Sequence, residues 1–433
     1  MTPVLKRPAT ALAFVVSAAS TGACGLVWSF DGYAGNPSSD GGFDSGHQNR
    51  PESGLDGSRV PEAGHEASSK HDAGVDAARD ATVAHDAGSD AAGPRDGGHD
   101  VGSTPHDACA DGGCSPCDGM CQPVTLNAGP AYGVSAIAID QTKVYWTSLY
   151  GSAIGSVSKD GGVSSPLTIS APYMTSIVVG GGVAYFGSAD GFIASCPTTG
   201  CVEGTYRRLV NDDGGDIQGV ASVGPYLFGI DEHLHGGAAA VLRAIVDGGA
   251  FDAAPTTSGA FLDSIIATDA SVFWSTVAGV YSCTPASCSA GLVASVQQVG
   301  ALAVDGMGNV YWLTGEGDLM TCTHAHVVAG NCDSSLIALT SSPIAGAARL
   351  AVDDSDVYVS TSGTFGDGGT SHGNGTIVRC SQKGCPTGPT MLAKNENSPG
   401  PIAVDGTFVY WADTQNGPNT AGSTCPIRAL CKQ

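Results

Sequence analysis

The chain has 433 residues, of which 41 are acidic and 18 are basic, giving a formal net charge of −23 at neutral pH. Such an excess of negative charge disfavours nucleic acid and anionic lipid surfaces as partners. The length would allow two domains, but the composition instead divides the chain into a leader, a low-complexity tail and one repeat domain.

Residues 1–23 have the features of a secretory signal peptide. Lys6 and Arg7 precede an apolar run from Ala9 to Ser20, which is too short for a membrane-spanning helix. The stretch from Thr21 to Cys24 resembles the cleavage box of bacterial lipoproteins, in which the cysteine becomes the lipidated first residue. The resemblance implies lipidation of Cys24. Ordinary cleavage that leaves a free Cys24 is the alternative.

The residue after Cys24 and the number of cysteines bear on the location. Gly25, rather than Asp, follows the cysteine, which in such lipoproteins goes with export to the outer membrane. The chain has 15 Cys, and an odd thiol in an exported protein needs an explanation. If Cys24 carries lipid, an even number remains to form disulfides. We therefore expect a protein lipid-anchored to the outer membrane or cell surface, or a secreted one if Cys24 is not lipidated.

Residues 24–108 form a low-complexity segment rich in Asp, Gly, Ala and His. Between Phe30 and Cys109 there is one Leu and no Ile or Trp. Such a segment cannot bury enough apolar surface to offset the entropy of ordering it, so we predict a disordered tether. Its histidines lie beside many carboxylates, which suits weak binding of divalent metal, but a solvated spacer is the simpler interpretation. Residues 109–121 form a Cys-rich junction to the domain that follows.

A repeated unit fills residues 122–433. In its clearest copy, Pro401 to Trp411, two apolar runs flank the turn residues Asp405 and Gly406, which is the signature of a β-hairpin. Seven copies follow one another at steps of 38 to 52 residues, counted at the aromatic positions Tyr145, Tyr185, Phe228, Phe273, Tyr311, Tyr358 and Tyr410. This period is typical of a four-stranded propeller blade.

The sequence therefore predicts an all-β domain, a single β-propeller of seven four-stranded blades. The third copy lacks the repeat Asp and has Gly229 at the Trp position, so six blades is the alternative. The last copy supplies only three strands, and an extra strand from Pro123 to Asn127 precedes the first copy. We expect this N-terminal strand to complete the last blade and close the ring.

Cysteine pairs recur at one place in successive copies, after the third predicted strand. The pairs are Cys196 with Cys201, Cys283 with Cys288, Cys322 with Cys332, and Cys380 with Cys385. In an exported, loop-rich domain this pattern indicates disulfides rather than a metal site. By the same placement, Cys121 and Cys431 are expected to join the two ends of the closing blade. The pairing of Cys109, Cys114, Cys117 and Cys425 stays open.

The repeated Ile-Ala-Val-Asp and Val-Tyr-Trp elements, as in 402–405 and 409–411, resemble the YWTD-type propeller of low-density-lipoprotein receptors. They are also similar to the propeller lipoproteins of soil bacteria such as myxobacteria. The resemblance covers residues 122–433 and is specific for the fold rather than for an activity. It implies receptor-like ligand binding only weakly, since the receptor propellers have six blades.

Function in a propeller tends to lie on loops that exceed the minimum length. Three loops between second and third strands are long, and in an antiparallel meander they emerge on one face together with the connections between blades. They run from Asp231 to Ala240, from Thr361 to Thr376 and from Asp413 to Thr424. The candidate binding face consists of Asp231, Glu232, His233, His235, Asp367, His372, Asn374, Asp413, Asn416 and Asn419.

The leading functional hypothesis is a cell-envelope lipoprotein that displays a propeller as a binding module for an extracellular or envelope protein or glycan. We expect a monomer that meets the membrane only through its lipid anchor. The alternatives are a metal-dependent enzyme of the lactonase or lyase kind, and a purely structural envelope protein. No catalytic motif is present, so the sequence assigns no catalytic residue, no metal ligand and no cofactor.

Overall fold

The computed structural model describes residues 122–129, 133–149, 153–168, 171–201, 206–212, 215–233, 239–246, 252–255, 262–334, 336–364, 373–413 and 424–432. The predicted signal peptide, Cys24, the tether and the Cys-rich junction lie outside these residues. The regular secondary structure of the described chain is almost entirely β-strand, arranged in seven four-stranded antiparallel sheets.

The first three sheets follow one another in chain order. Their strands are β2 (Val134–Ile139), β3 (Lys143–Ser148), β4 (Ala153–Ser158), β5 (Leu167–Thr168), β6 (Met174–Gly180), β7 (Val183–Ser188), β8 (Phe192–Pro197), β9 (Arg207–Asn211), β10 (Ile217–Val223), β11 (Tyr226–Asp231), β12 (Ala240–Ile245) and β13 (Asp252–Pro255).

The next three sheets repeat the pattern. Their strands are β14 (Leu262–Ala267), β15 (Val272–Thr276), β16 (Gly279–Cys283), β17 (Gly291–Ala294), β18 (Val299–Val304), β19 (Val310–Thr314), β20 (Leu319–Cys322), β21 (Ile337–Ala338), β22 (Ala347–Val352), β23 (Asp356–Thr361), β24 (Gly375–Ser381) and β25 (Thr390–Glu396). A short helix, α1 (His324–Ala329), lies between β20 and β21.

The seventh sheet joins the two ends of the domain. It combines β26 (Pro399–Val404), β27 (Phe408–Asp413) and β28 (Ile427–Cys431) with β1 (Val124–Asn127), which pairs antiparallel with β28. The first strand of every blade packs beside the first strands of its two neighbours, and β26 packs beside β2, so the ring is closed. The domain is a seven-bladed β-propeller, which confirms the predicted fold class, blade count and N-terminal closing strand.

Gly229 shows why the third copy is a regular blade despite lacking the Trp of the repeat. A Cβ at Gly229 would lie 2.5 Å from Cδ1 of Ile193, a side chain of the preceding blade. Ile193 thus occupies the space that an aromatic side chain fills elsewhere, and it is fully buried. The six-blade alternative is therefore wrong.

The Asp of the repeat unit stabilises the turn between the first two strands. Asp405 Oδ1 accepts hydrogen bonds from the backbone nitrogens of Thr407 and Phe408, each at 2.8 Å, and its Oδ2 accepts from Tyr410 Oη at 2.9 Å. Three further copies, at Asp140, Asp305 and Asp353, also bind a Tyr hydroxyl. Repeat Asp residues are therefore structural, as expected of Asp at turns.

Two lysines connect blades through these same carboxylates. Lys159 Nζ lies 2.6 Å from Asp405 Oδ2, and Lys432 Nζ lies 2.5 Å from Asp353 Oδ2. Burial alone would raise the pKa of Asp353, but Lys432 and the turn N–H groups outweigh it and lower this pKa to about 2. Both contacts lie near the closing blade, where the two ends of the domain meet.

Acidification is expected to destabilise the propeller through these pairs. Because the pKa of Asp353 is lowered in the folded state, its contribution is present above about pH 4 and is lost as the pH falls towards 2. Lys432→Met should lower the unfolding free energy by on the order of 2 kcal/mol at pH 6 and by much less at pH 2.5. Urea unfolding at both values tests this, with exposed Lys383→Met as the matched control. An equal loss at both values would contradict it.

Four of the predicted cysteine pairs form disulfides: Cys196–Cys201, Cys283–Cys288, Cys322–Cys332 and Cys380–Cys385. Cys425 and Cys431 are also disulfide-bonded; Cys121, the predicted partner of Cys431, lies outside the described residues. Disulfides at this density indicate an oxidising compartment. None of the helices in the described part of the chain is long and apolar enough to span a bilayer.

Candidate functional site

The first strand of each blade is its inner strand. All inner strands begin at one end of the ring, which we call the entry face. The connections between blades and the loops between second and third strands lie there, as the meander requires. Of the ten predicted binding-face residues, the structure describes Asp231, Glu232, His233, Asn374 and Asp413. The other five, His235, Asp367, His372, Asn416 and Asn419, lie outside the described residues.

Asp231 and Asp413 are not surface loop residues, which corrects their placement on an exposed face. They end the second strands β11 and β27 and are 0% and 2% exposed. In the other five blades the same strand position holds a hydroxyl residue: Ser148, Ser188, Thr276, Thr314 and Thr361. A small polar group is thus the rule at this position, buried in every blade except at Thr314, and two blades place a carboxylate there.

Asn374 is exposed but already engaged within its own loop. Its Oδ1 accepts a hydrogen bond from the backbone nitrogen of Thr364 at 2.8 Å, and its Nδ2 donates to Thr364 Oγ1 at 2.8 Å. These bonds join the two ends of the segment between β23 and β24. Asn374 therefore acts as a loop-closing residue.

Glu232 and His233 instead meet a residue that the sequence did not single out. This residue is Asp216, just before β10. One of its carboxylate oxygens, one carboxylate oxygen of Glu232 and one ring nitrogen of His233 all lie within 4.8 Å of one another. The backbone nitrogen of Glu232 donates to the carbonyl of Asp216 at 3.0 Å. The buried Oδ1 of Asp231 accepts from the backbone nitrogens of both Asp216 and His233 at 2.9 Å.

The other blades serve as an internal control for this cluster. The backbone bond between Glu232 and Asp216 recurs in four described blades, where it joins neutral residues: Leu149 to Gly133, Ala189 to Tyr173, Gly315 to Gln298 and Ser362 to Gly346. The propeller therefore does not need an acid at either position. The two acids of the third blade require another explanation, and ligand binding supplies one.

Neighbouring carboxylates raise the negative charge at this site. The pKa of Glu232 is raised to about 7, first by burial and then by the charges of Asp216, Asp263 and Asp231. Burial likewise raises the pKa of Asp263, the second residue of β14 in the next blade, and Arg349 offsets this in part. A cation bound here would relieve the crowding.

Beneath the cluster, the inner strand carries a bulge after its first residue that places Gln218 against Asp216. Gln218 Nε2 donates to Asp216 Oδ1 at 2.7 Å, and the side chain is 2% exposed. Gln218 Oε1 is buried and has no hydrogen-bond partner among the described residues. The carboxyl of Asp231 instead lies against that of Asp212, and burial together with this neighbour raises the pKa of Asp231. A buried acceptor without a donor, such as Gln218 Oε1, is uncommon in native proteins, and a ligand or its bound water accounts for it.

A buried acid pair, Glu396 and Asp413, lies between the sixth and seventh blades, and Arg428 lies beside both carboxylates. Arg428 Nη2 lies 3.6 Å from Glu396 Oε1, and Nη1 lies 3.5 Å from Asp413 Oδ2. Trp411 Nε1 donates to both carboxylates, at 3.3 and 3.1 Å. Because this cluster is buried and neutralised from within, we interpret it as structural.

His233 and His324 lie at opposite ends of the strands. His233 is at the entry face, whereas His324 is in α1, and its backbone nitrogen donates to Asn309 in the turn between the first two strands of its blade. That turn lies at the opposite end of the meander.

Comparisons with known proteins support the fold and leave the activity open. No family model and no curated protein matches the chain. Among solved structures, virginiamycin B lyase from Staphylococcus aureus is 13% identical with a TM-score of 0.55, covering 72% of this chain and 99% of that one. U3-55K is 9% identical with a TM-score of 0.52, covering 72% of this chain and 98% of that one.

A third likeness is to the extracellular domain of a proposed one component system from B. thetaiotaomicron. It is 14% identical with a TM-score of 0.51 and covers 72% of this chain and 40% of that one. At such identities these likenesses show the propeller fold alone, which hosts many unrelated functions.

Proposed function

We propose that this protein is an exported lipoprotein of the cell envelope that displays its propeller as a binding module. The binding site is the acidic cluster of the third blade at the entry face, formed by Asp216, Glu232 and His233. Its ligand is positively charged: a cation, or a cationic group on an envelope or extracellular protein or glycan.

The observation that carries this proposal is the contrast between blades. The third blade has acids at two positions that are neutral in the four other blades where the same backbone bond is described. Within the described residues, no Lys or Arg forms an ion pair with Asp216 or Glu232. A site with uncompensated negative charge and partial exposure suits a cation from outside the chain.

Positively charged ligands are expected to stabilise the mature chain, because a ligand that binds only the folded state adds to its stability. The test is thermal unfolding of residues 24–433 with divalent metal ions, polyamines and Lys- or Arg-containing peptides, compared with anions of similar size. At 100 times its Kd, a ligand should add about 2.7 kcal/mol. The double variant Asp216→Asn, Glu232→Gln should lose the response.

Glu316→Gln is the control, because it removes one negative charge from an exposed residue in the entry-face turn of the fifth blade. The proposal would be overturned if no cation stabilises the wild type, or if the double variant and the control respond alike. Such a result would favour a purely structural envelope protein.

The lipid anchor is tested separately. In a Gram-negative host the full chain should be found in the membrane fraction and should partition into detergent, whereas Cys24→Ser should move it to the soluble periplasmic fraction. This follows because the described part of the chain offers no spanning helix and the anchor is the predicted lipid alone. Wild-type protein in the soluble fraction would show that Cys24 is not lipidated.

A metal-dependent enzyme of the lactonase or lyase kind is the second candidate function. It is favoured by one observation: Glu232, with a pKa raised to about 7, lies beside His233 and Asp216. A carboxyl group that titrates near neutral pH suits general acid or base catalysis. The test is turnover of a panel of lactones by the wild type and by Glu232→Gln. Turnover that Glu232→Gln abolishes would establish the enzyme hypothesis, and a wild type without turnover would contradict it.

A further inference from the structure

We propose that Asp216, Glu232 and His233 bind a divalent first-row transition metal ion, with Zn²⁺ and Mn²⁺ as the best candidates. This inference rests on the proposed function, since it names the class of cation that the third-blade site takes. The sequence assigned no metal ligand, because Asp216 is separated from Glu232 along the chain and becomes its neighbour only through the pairing of β10 with β11.

The three ligand atoms are already close to a coordination geometry. They lie within 4.8 Å of one another, and metal bonds of about 2.0–2.2 Å place ligand atoms roughly 3–4 Å apart. Small side-chain rotations therefore suffice to close the site. Three protein ligands leave at least one coordination position for water or for a donor group of another molecule.

The ligands are also oriented by the surrounding structure. Asp231 Oδ1 holds the backbone of Asp216 and His233, and Gln218 Nε2 holds Asp216 Oδ1. The other carboxylate oxygen, Asp216 Oδ2, then faces His233 and lies 3.8 Å from its Nδ1. Hydrogen bonds that fix the ligand side chains are a regular feature of metal sites.

A buried acceptor near the site points independently to a missing donor. The amide of Gln218 is buried, and its oxygen has no partner in the described part of the chain, although its nitrogen contacts Asp216. Water bound to a metal at Asp216 is a strong hydrogen-bond donor and would satisfy such an acceptor.

The seventh blade places an arginine beside a buried acid pair. There Arg428, which lies opposite Trp411 in the register of β27 and β28, contacts Glu396 and Asp413. Asp413 is the counterpart of Asp231, and the third-blade position that corresponds to Arg428 is Leu242, opposite Gly229. At this position the third blade therefore supplies no cation.

The donor set indicates which metals fit. Two carboxylates and one imidazole suit Mn²⁺ and Zn²⁺, whereas Mg²⁺ and Ca²⁺ prefer oxygen ligands alone. The order of affinity should therefore be Zn²⁺, then Mn²⁺, then Mg²⁺ and Ca²⁺.

The test measures metal binding to the mature chain directly, with free Mn²⁺ read by electron paramagnetic resonance and Zn²⁺ by competition with a chromophoric chelator. The wild type and Glu316→Gln should share one tight site. Asp216→Asn and Glu232→Gln should lose it, and Gln218→Leu should weaken it by about 10- to 100-fold. Any metal that the tail histidines bind is common to all variants, so the difference between variants isolates the propeller site.

Equal metal binding by the wild type and the Glu232→Gln variant would overturn the inference. The Glu232 side chain accepts no hydrogen bond from the described residues, so this variant should fold even if Asp216→Asn does not. If metals fail to bind while polyamines or basic peptides still stabilise the wild type, the metal inference fails and the binding-module proposal stands. If neither binds, both fail.

Discussion

Replacing Arg428 with Met is expected to lower the free energy of unfolding by about 3–5 kcal/mol at pH 8, because it leaves two buried carboxylates without their cation. Glu396 and Asp413 are 3% and 2% exposed, so water cannot take over the role of the guanidinium. Urea unfolding of the oxidised protein measures the change.

The loss should be smaller at pH 5. Burial and the charge of Glu396 raise the pKa of Asp413 to about 7. A raised carboxyl pKa means that the folded state holds a proton that the unfolded chain releases, so this stabilisation is present at low pH and is lost as the pH rises through 7. Between pH 5 and 7 the unfolding free energy of the wild type should fall by up to about 1.4 kcal/mol per pH unit for this one proton.

The control is Arg428→Met combined with Glu396→Gln and Asp413→Asn. With the charges gone, the loss of the arginine should cost little, since replacing a whole buried ion pair is often neutral. A single Arg428→Met variant as stable as the wild type at pH 8 would show that solvent reaches these carboxylates.

Removal of β1 is expected to have the second largest effect. A chain of residues 130–433 should be less stable than one of residues 122–433 by on the order of 3–5 kcal/mol. Leu126 is buried and contributes about 1.5–3 kcal/mol, and each ladder hydrogen bond to β28 adds about 1 kcal/mol. The shorter chain also exposes the edge of β28, so we expect it to aggregate more readily.

Both chains lack Cys121, so the difference between their stabilities measures the contribution of β1 and not that of a disulfide at Cys121. Chemical unfolding of the two, with light scattering for association, is the measurement. Equal stability would mean that the ring is closed by contacts between inner strands alone, such as those between β2 and β26.

The repeat made the fold predictable because each copy is locally complete. Runs such as 144–146 and 409–411, with their Asp turns, specify a hairpin wherever they occur. The third strand of the last blade has no outer neighbour in its own copy, and the N-terminal strand supplies that neighbour. Gly229 was the one ambiguous position, since its compensation by Ile193 comes from another blade. The sequence of a single copy does not predict the contacts that it makes with neighbouring blades.

The candidate site was only partly predictable for the same reason. Glu232 and His233 follow a second strand and were found as loop residues. Asp216 was missed because it reaches them across a strand pairing. Asp231 and Asp413 were misplaced because sequence alone does not say whether the last residue of a strand points to solvent or to the core. Comparing equivalent positions across copies is the signal that could have singled out Asp216.

The most direct test of a cation site in the third blade is a crystal structure of the mature chain grown with Mn²⁺ and, separately, with a polyamine. We expect a bound cation between Asp216, Glu232 and His233, with an anomalous difference peak at about 2.0–2.2 Å from the ligand atoms for Mn²⁺. Crystals that place neither cation at these residues, while binding them at exposed acids such as Asp354, would contradict it.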